Sequence, residues 1–147
     1  MREILFRGKR LDNGEWVEGD LVQICDGRRF IVNNRHGACI DDKGNFINTE
    51  SPFVCKVAPA TVGQYTGLMD KNGKRIFEGD VVQFQRVNAL GWFTQRVGEV
   101  LFPFDDETPC FYVYATTGDA WDFYTIENIV VIGNTHDNPE LLKDGEG

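Results

Sequence analysis

Apolar and polar residues alternate at period two along most of this chain, in short runs broken by turn signals. Successive side chains of an extended strand point to opposite faces, so such alternation marks half-buried β-strands. The runs predict strands at Glu3–Arg7, Glu15–Val17, Leu21–Cys25, Arg29–Asn33, Phe46–Ile47, Phe53–Val57, Arg75–Phe77, Val81–Val87, Thr94–Phe102, Cys110–Tyr114 and Ile129–Ile132. In the first of these, Ile4 and Phe6 are expected to face inward, with Glu3, Leu5 and Arg7 on the other side. Between the runs stand Asp12-Asn13-Gly14, Asp26-Gly27, Asp42-Lys43-Gly44, Asn72-Gly73 and Thr117-Gly118-Asp119, residues that supply positive φ or bond their own backbone in tight turns. Many short strands joined in this way predict a mainly β, antiparallel fold with a small barrel-like core, SH3-like or related.

Helix signals are scarce. The best is Asn138-Pro139-Glu140-Leu141-Leu142, where Asn138 suits an N-cap, Pro139 the first helical position and Glu140 the positive end of the helix. It predicts a short C-terminal helix docked through Leu141 and Leu142. A single helical turn is expected at Ile126-Glu127-Asn128, ahead of the last strand.

One triplet occurs twice. Glu18-Gly19-Asp20 precedes Leu21-Val22, and Glu78-Gly79-Asp80 precedes Val81-Val82. In both, Gly is expected to take the backbone through a tight turn and Asp to bond amides just beyond it, launching a strand. With 147 residues the chain fits one domain, and a domain of that size buries roughly 70% of its unfolded surface. The repeated triplet also fits two packed β-subunits, at about residues 1–60 and 61–147.

The net charge of −8 is unevenly distributed. Residues 1–62 hold nine Lys/Arg and nine Asp/Glu, whereas residues 63–147 hold six and fourteen. An acidic half repels phosphate backbones at long range, which counts against nucleic-acid binding there. The N-terminal cations, Arg7, Lys9 and Arg10 foremost, form the alternative phosphate-contacting set. Cys25, Cys39, Cys55 and Cys110 are too widely spaced for a zinc pattern, and a reduced, cytoplasmic protein is expected, with Cys25, Cys39 and Cys55 buried as free thiols. No signal peptide is expected at MREILFRGKR and no run is long and apolar enough for a membrane helix.

The polar residues do not assemble into catalytic chemistry by spacing. Asp105-Asp106-Glu107 lies between Pro103 and Pro109 and reads as a solvated loop; Asp119 and Asp122 flank Trp121 and read as turn chemistry; His36 and His136 read as surface residues. There is no GxGxxG and no GxxxxGK[ST], so no nucleotide cofactor is implied, and neither is a metal. The 18 aromatics cluster late, in Trp92, Phe93, Phe102, Phe104, Phe111, Tyr112, Tyr114, Trp121, Phe123 and Tyr124. Leu90, Trp92 and Phe93, read as a hairpin tip, together with Tyr112 and Trp121, form the candidate protein contact.

The runs Val62-Gly63-Gln64-Tyr65-Thr66-Gly67-Leu68, Asp70-Lys71-Asn72-Gly73-Lys74 and Ile76-Phe77-Glu78-Gly79-Asp80-Val81-Val82 resemble the hallmark of the YopX-like proteins of phages and prophages. Arg2-Glu3-Ile4, Phe6-Arg7-Gly8-Lys9, Val131-Ile132-Gly133-Asn134 and Asn138-Pro139-Glu140-Leu141-Leu142 extend the resemblance to both ends, whereas residues 25–60 and 88–122 match less closely. It implies a small, mainly β, barrel-containing protein of uncharacterised activity in the host-cell cytoplasm, and it carries over no catalytic residue. Its signature positions, among them Gly67, Asp70, Asn72, Gly73, Glu78, Gly79 and Asp80, are of the types that specify turns and strand starts.

Three functional expectations follow in order. The first is a non-enzymatic interaction module that self-associates or binds a phage or host protein through its acidic, aromatic half. The second is nucleic-acid binding by Arg7, Lys9 and Arg10, with DNA mimicry by the acidic half as a variant. The third is a hydrolase using Glu78, Asp80, Asp119 and Asp122.

Overall fold

The computed structural model describes residues 3–33, 54–87, 90–91, 93–103, 107 and 110–143. Among these residues eleven strands follow one another: β1 (Phe6–Lys9), β2 (Trp16–Gln23), β3 (Arg29–Val32), β4 (Val54–Val57), β5 (Gly63–Met69), β6 (Arg75–Phe77), β7 (Asp80–Val87), β8 (Phe93–Leu101), β9 (Tyr112–Ala115), β10 (Ala120–Asp122) and β11 (Glu127–Asn134). Helical structure among the described residues is limited to 3-10 turns at Pro59–Thr61 and Pro139–Leu142. The chain divides into two compact units, Met1–Tyr65 and Thr66–Gly147.

In the first unit the strands run β4-β3-β2-β1, and the start of β5 adds to β1, with Phe6 opposite Gln64 and Arg7 opposite Gly63. Ile31, Val32, Val54, Cys55, Val57 and Tyr65 form its buried set. The outer edge of β4 meets the chain just after β1 at one bridge, Arg10 to Val57, flanked by Leu11 N–H to the Lys56 carbonyl (3.1 Å) and Ala58 N–H to the Lys9 carbonyl (2.9 Å).

In the second unit the five-stranded sheet runs β10-β9-β8-β7-β11. Phe123–Ile126 alone joins β10 to β11, which lie at opposite edges. Crossing a flat sheet of this width needs about 19 Å, whereas the stretch from Asp122 to Glu127 spans at most about 17 Å fully extended. The sheet is therefore strongly curled, and Ile126 lies inside the curl with Ile76, Val82, Phe84, Val100, Val113 and Ala115.

Both strand orders are open, so the mainly β, antiparallel expectation holds while the closed barrel does not: among the described residues β10 and β11 end the second sheet unpaired with one another, and in the first unit a single bridge stands where a ladder would be needed. The expected C-terminal helix is a four-residue 3-10 turn. Pro139 supplies no N–H, and the Asn138 side chain makes no cap; its Oδ1 instead accepts from Asn134 N–H at 3.3 Å. Ile126-Glu127-Asn128 is not helical either. β11 starts at Glu127, and Asn128 takes φ +51° at a bulge where the register with β7 shifts.

The first strand also differs. β1 begins at Phe6, Ile4 is 64% exposed, and Arg7 is buried, with its guanidinium over the ring of Trp16, which pairs with Lys9 two residues on. β2 is one strand where two were expected, and β5 and β10 carry too little apolar alternation to have been expected at all. Cys55 is buried, which pushes its thiol pKa up, but Cys25 is exposed. Phe46–Ile47, Cys39 and His36 lie outside the described residues.

Candidate interaction surface

Asp70 ties several segments of the second unit together. It sits 7% exposed at the turn between β5 and β6, where Gly73 N–H donates to its carbonyl and its own N–H donates to the Lys74 carbonyl. Oδ1 accepts from the Asn72 and Lys74 amides, both at 2.9 Å, and Oδ2 accepts from the Val131 amide of β11 at 3.0 Å. Burial alone would raise its pKa, but the hydrogen bonds from Val131, Lys74 and Asn72 outweigh it, and the carboxyl is held below the usual aspartate range. Gly67, upstream in β5, takes φ +88° beside Thr66, whose hydroxyl donates to the Ile76 carbonyl at 2.8 Å.

The two Glu-Gly-Asp triplets have different structures. Glu78-Gly79-Asp80 forms a tight turn with Gly79 at φ +91°, as expected, and the Gly79 N–H donates to the Val100 carbonyl; the buried Asp80, however, accepts from Phe77 N–H at 2.8 Å, an amide before it rather than beyond it. Glu18-Gly19-Asp20 lies in the middle of β2, paired on both sides, with Asp20 exposed. Here Gly is required for another reason, since a Cβ on Gly19 would drive into the Val32 carbonyl of β3.

The four aromatic and apolar contact candidates among the described residues do not converge. Leu90 is 82% exposed between β7 and β8, Phe93 opens β8, and Trp92 lies outside the described residues. Tyr112 is opposite Leu101 at the other end of β8, about 26 Å along the strand from Phe93 at roughly 3.3 Å per residue. Tyr112 and Trp121 also take opposite faces, because Tyr112 pairs with Asp122 while Trp121 pairs with the buried Val113. Trp121 packs on the core, with the Arg86 guanidinium 3.8 Å from its ring centre and its Nε1 donating to Asp119 Oδ2 at 2.6 Å. Asp119 also accepts from the Thr117 hydroxyl, and these bonds hold its pKa down. The arginine 35 positions upstream was the partner that sequence order hid.

The cation set of the first unit is similarly engaged. Arg7 and Lys9 point to one side of β1 and both approach Trp16, at 4.7 and 5.9 Å from the ring centre. Arg10 forms a two-pronged bond with Asp12, Nε to Oδ1 at 2.9 Å and Nη2 to Oδ2 at 2.6 Å. The hydrogen bond to Arg10 lowers the Asp12 pKa and raises that of Arg10. Among the described residues no group of three or more His, Cys, Asp or Glu is arranged to hold a metal, and no helix is long and apolar enough to cross a membrane.

A family description, YopX protein, matches residues 5–143. The chain belongs to the YopX family. No curated protein matches the sequence. Among solved structures it is similar to a crystal structure of protein EF1440 from Enterococcus faecalis, at 21% identity and a TM-score of 0.48, over 97% of this chain and 100% of that one. In this YopX chain the hallmark segments act as architecture. Asp70 and Lys71 of one segment bond Val131 and Ile129 of β11, and Asn138 of another bonds Asn134 at the end of the same strand.

Proposed function

We propose that this YopX-family chain is a phage- or prophage-encoded, cytoplasmic protein-interaction module with no catalytic activity of its own. One observation carries the reading. Of the nine large hydrophobic residues exposed among the described residues, Ile4 and Leu11 fall in the first unit and the remaining seven in the second, including Leu90 at 82% and Tyr124 at 99%. That unit also holds fourteen Asp/Glu against six Lys/Arg. Scattered exposed apolar residues are ordinary; their coincidence with a one-sided charge supports a partner that offers apolar contacts within a basic rim. Size-exclusion chromatography with light scattering, on the protein alone and mixed with host lysate at low and moderate salt, tests it. A retained basic protein, released by salt and lost in Leu90→Ser, is expected; a monomer that retains nothing overturns it.

A second reading, nucleic-acid binding by the first unit, is supported by Arg7 and Lys9 sharing one face with Trp16, a mixture of cation and ring suited to bases. The burial of Arg7 and the Arg10–Asp12 pair weigh against it. A salt-dependent gel shift with single- or double-stranded nucleic acid, weakened in Lys9→Glu, tests it. Competition with DNA for the captured protein would favour mimicry by the acidic unit instead.

A further inference from the structure

β11 is an edge strand, and its central residues Ile129-Val130-Val131-Ile132 are uncharged and β-branched, the composition most prone to pair with another strand. Its inward side pairs with β7, with Val130 opposite Gln83 and Val131 opposite Val82. Alternate backbone groups point the other way, and the hallmark residues occupy them. Lys71 N–H donates to the Ile129 carbonyl at 2.9 Å, and Val131 N–H donates to Asp70 Oδ2 at 3.0 Å. One donor and one acceptor spaced in this way reproduce what a single residue of a neighbouring parallel strand would offer, with the Asp70 carboxylate standing in for a carbonyl. Further along, Asn134 N–H donates to Asn138 Oδ1, and Asn138 N–H donates to the Asn134 carbonyl at 2.8 Å.

We infer that the Asp70 turn is an edge plug that keeps β11 from pairing with β11 of a second copy. A second copy is the natural occupant: it always carries the same strand, and two such edges related by a twofold axis are self-complementary. The inference goes beyond the partner-binding reading and does not depend on it, because it concerns the change in assembly when the plug is removed rather than what the unaltered chain retains.

Two substitutions remove the plug by different routes. Asp70→Asn keeps one oxygen for the Asn72 and Lys74 amides and turns an NH₂ toward Val131 N–H, so the turn survives while the bond to β11 is lost. Lys71→Pro removes the donor to Ile129 at the second position of a β-turn, a place proline favours. Light scattering over a wide concentration range should show both variants rising at least twofold in mass relative to the unaltered chain. Ile132→Lys added to either variant, a charge on the exposed edge, should restore the original mass. Folded variants whose mass follows the unaltered chain at every concentration overturn the inference. If neither variant folds, hydrogen exchange in the unaltered chain decides: a Val131 amide that exchanges as fast as exposed turn amides overturns the plug, and a protected one supports it.

Discussion

Asp70 Oδ2 lies 3.0 Å from the Val131 amide, 61 residues further along the chain. One buried carboxylate thus ties the β5–β6 turn to the last strand while also shaping the turn itself. Asp70→Ala leaves three amides without their acceptor, and an expected loss of about 3 kcal/mol follows from the cost of orphaned buried donors. Denaturant unfolding measures it; a loss under about 1 kcal/mol would mean that water replaces the carboxylate.

The same residue sets an acid limit. Because folding holds the proton off Asp70, the unfolded chain binds more protons in acid, and this contribution is present above the ordinary aspartate pKa and fades as pH falls through the lower folded value. Thermal melts of the unaltered chain should therefore drop steadily below about pH 4, and those of Asp70→Ala should drop less steeply.

Glu99 works in the opposite sense. Burial raises its pKa, and the Glu78 carboxylate adds to the rise. Ionising it then costs more in the folded than in the unfolded state, so stability is lost as pH rises through the range above the ordinary glutamate value. Glu99→Gln should melt at a higher temperature than the unaltered chain at pH 7, and the gap should close below about pH 3, where the carboxyl is protonated in both states.

Glycine at position 19 is required by proximity rather than by its dihedral. Gly19→Ala should cost about 2 kcal/mol or more, since backbone of β3 must move. Gly14→Ala, where φ is +72° and the space is open, should cost about 1 kcal/mol. Equal losses in paired denaturation curves would show that β3 yields freely.

Trp121 and Tyr124 separate structure from surface. Trp121→Ala should cost about 3 kcal/mol, given its packing, its Arg86 contact and its bond to Asp119. Arg86→Ala should shift tryptophan emission without unfolding the chain. Tyr124→Ala, at 99% exposure, should change stability by under about 0.5 kcal/mol.

Much of the fold was legible because alternation and turn chemistry act locally. β3, β4, β7 and β8 announce themselves through the β-rich runs that carry Ile31, Val54, Val82, Phe84 and Val100, all of which are buried in the folded chain. β5 did not, because Gly63, Thr66 and Gly67 carry no apolar stripe and its start depends on pairing with β1. The two Glu-Gly-Asp triplets mark the limit most clearly. What distinguishes them is the Val32 carbonyl in one case and the Phe77 amide in the other, and the triplets themselves encode neither. For the surface, Leu90 was readable as an exposed tip, whereas Trp121 was not readable as a packed residue, since the curled sheet brings Arg86 of β7 to it from three strands away in the sheet order.

The short crossing at Phe123–Ile126 also has a kinetic meaning. β7 to β10 form a meander whose contacts are local, but β11 pairs Asn134 with Asp80 only after the chain has returned across all of them. Long-range pairings wait on loop closure, so β11 is expected to pair last and to open first, which the order of amide exchange along the second sheet would check. Native-state opening of the second unit should begin there, and the Asp70 and Asn138 contacts serve as the latch on that slow step.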